Sequence, residues 1–136
     1  MPVLPATGTT ILSAMLGKLN YATIAPTCYL GLSTATPSSD GSGFSEPGNG
    51  YARSLIGNYQ TSATQKMTVT GNSATNSEII FFNEATASWG TITHWGIFSA
   101  ATGGTPLVWG ALTTSVSVPG NYVPLFRVNN FTLTLE

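Results

Sequence analysis

The 136 residues carry four basic and five acidic side chains, one histidine and one cysteine, for a formal charge of −1. At 7% of the chain, against roughly 25% in ordinary soluble domains, the charges argue against a nucleic-acid partner, because phosphate binding needs clustered basic residues and Lys18, Arg53, Lys66 and Arg127 lie far apart in sequence. A lone Cys28 excludes an internal disulfide, and the length fits one domain, residues 1–136, with one core.

Ser, Thr, Asn, Gln and Gly supply the polar surface in place of charge. Such a surface predicts that neighbours cover part of it, with self-association into a homodimer or homotrimer as the first expectation. No run of about 18 apolar residues is present. The start MPVLPATGTT lacks the basic segment and apolar stretch of a secretory signal. A chain without a membrane partner, made in the cytoplasm, is expected.

Pro2 and Pro5 predict an extended arm over residues 1–8. Ile11, Leu12, Met15, Leu16 and Leu19 then fall on one stripe of an amphipathic helix over residues 9–20, with Thr9 or Thr10 as its cap. Three turns are marginal alone, so the stripe must dock on its own domain or on another subunit. Leu12, Met15, Leu16 and Leu19 are therefore candidate contact residues.

From residue 27 the pattern becomes β and stays so to residue 136. TCYLGLST is the first strand, and PSSDGSGFSEPGNG, residues 37–50, is a long loop of turn formers. Its acids Asp40 and Glu46, with Phe44 and the later Trp89, form the candidate recognition surface. YARSLIGNY and KMTVT suit short strands. SEIIFFN, TITHWGIF and PLVWGAL are apolar on both alternating sets, predicting three strands covered on both faces. The last two, joined by SAATGGT, read as a buried hairpin, with Trp95 and Trp109 assigned to core or subunit contact. NFTLTLE alternates as a strand with one wet face. Seven or eight strands at this spacing predict a mainly β, single-domain antiparallel sandwich or barrel-like fold with one N-terminal helix.

Chemistry is sparse. In a regular strand His94 shares a face with Ile92, Gly96 and Phe98, but no GxSxG elbow accompanies it, and a structural histidine is favoured over a general base. One Cys, one His and scattered acids provide no CxxC or HExxH spacing. The loop acids lack the alternation of an EF-hand. Cys28, within TCYLGL, reads as a buried small hydrophobe. No catalytic, cofactor or metal residue is nominated, and a non-enzymatic role without cofactor is expected.

The segments YLGLSTATPSSDGSGFSEPGNGYAR, SWGTITHWGIFSAATGGTPLVWGALTTSVSV and NNFTLTLE resemble a family of small tailed-bacteriophage virion proteins. Its pattern runs YLALFTA, a polar loop with an acid and glycines, GYAR, SWGTITHFGIFDAATGG, and a return ending WGAL. The resemblance spans residues 29–136 with the preceding helix in place. Here Ser99 stands where Asp is common, and LFRVNN, with Arg127, replaces a small Gly-rich segment before the last strand. Members are labelled tail-fibre proteins, and proteins of this kind also serve as capsid cement. The resemblance implies a virion structural protein made in the host cytoplasm. The expected role is capsid cement contacting the major capsid protein, with a tail or tail-fibre component, including a carbohydrate-binding receptor role, as the alternative. No catalytic residues transfer.

Overall fold

A computed structural model describes residues 5–17, 27–58 and 65–134. Helix α1 spans Pro5–Met15. Nine strands follow among the described residues: β1 Thr27–Ser33, β2 Ser54–Asn58, β3 Met67–Thr70, β4 Ser73–Asn76, β5 Ile80–Phe81, β6 Gly90–Phe98, β7 Val108–Val118, β8 Leu125–Phe126 and β9 Thr132–Thr134. They form antiparallel sheets ordered β2-β1-β6-β7, β3-β4-β9 and β5-β8, so the fold is mainly β and sandwich-like, as the strand spacing predicts.

The alternation of β1 and β6 builds the two faces of the large sheet. Leu30 opposite Ile97 and Leu32 opposite Trp95 project into a core shared with Ile56, Ile80, Phe82, Trp89, Ile92, Val118 and Phe131. Opposite them, Gly31 faces Gly96 and Tyr29 faces Phe98 on the outer side of the sheet.

Three expectations are corrected. The helix begins at Pro5 rather than after an arm, because proline is pre-set for the first helical turn, where its missing N–H costs nothing. Thr9 and Thr10 thus lie inside it. Gly17, at φ 76°, ends it in the left-handed conformation that glycine adopts most readily; Leu19 and residues 18–20 lie outside the described residues, as do residues 1–4, Tyr59 and the last two positions of the final strand.

Second, SEIIFFN is not a doubly covered strand. Ile80 and Phe82 are buried while Ile79 and Phe81 are exposed, and only two residues pair, with β8 at the margin of the fold. Its period is that of a one-sided strand. Third, PLVWGAL is the start of an 11-residue edge strand whose second half, TTSVSV, is mostly exposed. β7 pairs β6 alone among the described residues.

The β6–β7 ladder is also irregular: Ile92 pairs Val116 and His94 pairs Ala111, so residues 112–115 of β7 stand opposite Thr93 alone. A bulge of this size bends the strand and changes which face follows. Ile92 is thereby moved off the face of His94 and into the core with Trp95, contrary to simple alternation.

A further strand pair is legible in the sequence. TVTGNSAT, with Gly-Asn between two alternating runs, is a hairpin signal, and it forms β3 and β4 around Gly71 at φ 62°. Asn76, fully buried at the end of β4, has no comparable signal. Its Nδ2 donates to the carbonyls of Glu78 (2.9 Å) and Arg127 (2.8 Å), and its Oδ1 accepts from the Phe131 amide at 2.9 Å. It ties β4 to the turn before β9.

Candidate functional site

The long loop is packed rather than free. Paired Gly31 and Gly96 leave the outer face of the large sheet bare, and the loop fills it: a Cβ on Gly96 would come within 2.7 Å of the Phe44 ring, and one on Gly31 within 2.8 Å of Phe98. Phe44 meets Phe98 edge-on at 5.2 Å. Phe44 is thus spent on intramolecular packing.

Glu46 is engaged in the same layer. Arg53 grips it in a fork, Nε to Oε1 at 2.7 Å and Nη2 to Oε2 at 2.9 Å, and donates Nη1 to the Ala100 carbonyl at 2.8 Å. The guanidinium lies 3.4 Å over the Phe98 ring. Bidentate geometry and a cation–π contact explain why Arg, and not Lys, suits this position. The Arg53 side chain is 2% exposed and that of Glu46 28%.

Tyr51 completes the cluster. Its hydroxyl donates to Glu46 Oε1 at 2.8 Å and accepts the Leu32 amide at 3.0 Å. Burial pushes this phenol far above its ordinary range, so it remains a donor. The GYAR segment is a clasp holding the loop to the sheet, with Ser33 Oγ accepting the Ser45 amide at 2.9 Å on the other side.

Trp89 lies in the core. It is 5% exposed, packs edge-on against Tyr51 at 5.4 Å, and donates Nε1 to the Asn49 carbonyl at 3.0 Å. The joint exposure of Trp89 and the 39–49 loop that a sugar platform requires is not present. Of the four recognition candidates, Asp40 alone is exposed. Its Oδ1 accepts the Ser42 hydroxyl at 2.6 Å and amide at 3.0 Å, and these bonds hold its carboxyl below the ordinary value. That is a turn-building role.

The assigned tryptophans separate. Trp95 is core, 7% exposed, edge-on to Phe131 at 5.1 Å, with its indole lying across Gly110. Trp109 is half-buried on β7 against the His94 ring at 5.8 Å. Its Nε1 finds no partner among the described residues. His94 shares a hydrogen bond of 2.8 Å between Nδ1 and Thr93 Oγ1, and desolvation lowers its pKa. Cys28 is half-buried, and burial raises its thiol pKa, the direction opposite to an activated nucleophile.

Among the described residues, exposed apolar side chains gather on the helix and around a groove of mixed lining. Leu12 and Met15 on α1 are 59% and 63% exposed, and Leu16, just past its end and bonded back to the Leu12 carbonyl, is 73% exposed. A groove of about 760 Å³ opens where the bulged part of β7 parts from β8 and β9, floored by Ile92, Trp95 and Phe131 and rimmed by Val116, Tyr122 and Leu125. Nothing in the sequence marks this groove, because its floor comes from β6 and Phe131 while its rim comes from β7 and the segment leading into β8. A second concavity, about 500 Å³, lies on the three-stranded sheet and is lined by the hydroxyl and amide side chains of Thr68, Thr70, Ser73, Thr75, Ser77, Asn129 and Thr132. Some of these hydroxyls already serve each other, as Thr75 and Thr132 do at 3.1 Å.

No curated protein matches the chain. The family model of the Podophage GP4 fiber I protein gp80 matches residues 5–134, a span that takes in α1, the clasped loop and every strand. The chain belongs to the Podophage GP4 fiber I protein gp80 family, a family of phage fibre structural proteins.

Proposed function

We propose that this protein is a structural component of a phage tail fibre, carried in the virion and built into it through contacts with copies of itself and with tail proteins. The observation that carries the reading is the match to a fiber protein family over residues 5–134. It favours the tail-fibre alternative over the capsid-cement role, for which the match provides no support.

A non-catalytic role accords with how the ionisable groups are used. Glu46 is committed to Arg53 and Tyr51, Asp40 to a turn, and His94 to packing on Trp109. An assembly role also accords with the uncovered apolar residues of α1 and the groove, since exposed apolar patches mark contact sites.

The test is the position of the chain in purified particles, read by cryo-electron microscopy with quantitative mass spectrometry of separated shells and tails. Density and peptides at the tail, in a copy number commensurate with tail symmetry, are the expected result. Copies spread over the shell lattice would overturn the fibre reading and favour cement.

A further inference from the structure

We propose that helix α1 of one copy docks its apolar stripe in the β7–β8 groove of a second copy, so that subunits associate head to tail by helix exchange. The inference rests on the fibre-component reading only in assuming that copies meet.

Each copy carries both halves of an unmet pair. An isolated helix of 11 residues is marginal in water, yet in the folded chain Leu12, Met15 and Leu16 stay exposed, so the helix has not found its cover on its own domain. The groove exposes an apolar rim at Val116, Tyr122 and Leu125 over a core floor. Shape suits a helix-in-groove contact, in which residues at i, i+3 and i+4 anchor in one concave apolar site, and Leu12, Met15 and Leu16 have that spacing.

Charge also selects this occupant. Residues 5–17 contain no Asp, Glu, Lys or Arg, and the lining of the groove contains one residue of those four types, Arg127. A charged partner segment would leave its charges desolvated there, whereas α1 brings none. Topology agrees as well: one helix and one groove per copy form a heterologous contact, which satisfies every subunit once the ring closes.

The experiment uses the full chain with Cys28→Ser as background. Two differently tagged copies are co-expressed, one with Leu16→Cys and the other with Leu125→Cys, and oxidised mildly. A disulfide between the two tags is expected, with none when Val69→Cys, exposed on β3 and outside the groove lining, replaces the groove cysteine. Equal cross-linking at Val69, or none at Leu125, overturns the proposal. When both cysteines are placed in one chain, a product confined to monomer mass overturns it too, since the helix then covers its own groove.

Light scattering supplies a second reading. Wild-type chain is expected to exceed the 14.1 kDa monomer, Leu16→Asp and Leu125→Lys each to fall to monomer, and the two mixed together to recover a mixed oligomer through the opposite charges. Both variants bear changes at exposed positions, so circular dichroism should remain that of the wild type. Single variants that keep the wild-type mass overturn the proposal, as does wild-type chain that is monomeric at its solubility limit. If cross-linking succeeds and the chain is absent from tails, the helix exchange stands and the fibre reading falls.

Discussion

At the scale of single residues, the Glu46, Tyr51 and Arg53 cluster carries the stability of the long loop. Breaking a buried ion pair from one side strands the other charge, at about 3 to 5 kcal/mol. With Glu46 partly exposed, Arg53→Met is expected to cost about 3 kcal/mol in urea unfolding. The glycine pair beneath the loop supports a second prediction. Gly96→Val overpacks against Phe44, at a cost of about 1 to 3 kcal/mol, and adding Phe44→Ala should recover part of that loss in a double-mutant cycle. A loss unchanged by Phe44→Ala would mean that another contact sets it. His94 adds a pH dependence. Desolvation lowers its folded-state pKa below the ordinary 6.5, so between those two values the unfolded chain binds more protons than the folded one. Stability therefore falls as pH drops through that window and levels off beneath the folded value. Thermal melts from about pH 7.5 to about pH 5.5 should show a smaller decline for His94→Gln than for the wild type.

At the scale of elements, the β3–β4 hairpin depends on its two-residue turn. Gly71 sits at φ 62°, as the first position of a type II′ turn demands. Gly71→Ala should cost about 1 to 2 kcal/mol, measured by thermal unfolding, with the loss local enough that hydrogen exchange rises first in β3 and β4. The β6–β7 hairpin illustrates how far periodicity reaches. Its existence and its Gly-rich connection were legible, and so were the first strand, TCYLGLST, and the place of Trp95 in core or subunit contact. The bulge opposite Thr93 was not legible. Nothing in ALTTSV announces that four residues will face one, because a bulge is set by how two distant strands must diverge to enclose a core.

For the whole molecule, low charge is the governing property. With four basic and five acidic residues in all, the proposed contact between copies would rest on apolar burial, which salt screens little. The dissociation constant of the oligomer is expected to change by less than about threefold between low and high salt, read by sedimentation; a steep loss with added salt would point to an ionic interface instead.

By itself the sequence determined the composition of the surface, the strand-rich fold, the turn-forming loop and the apolar stripe of the N-terminal helix, because each is carried by residues close together along the chain. Tertiary structure alone decided that the loop lies clamped on a glycine pair, that Trp89 is core and not an exposed recognition residue, that Asn76 ties β4 to the turn before β9, and that β7 is an edge bordering an open groove. These depend on which distant segments come into register, and the energy that chooses a register comes from burial and hydrogen bonding across the whole fold rather than from any local pattern.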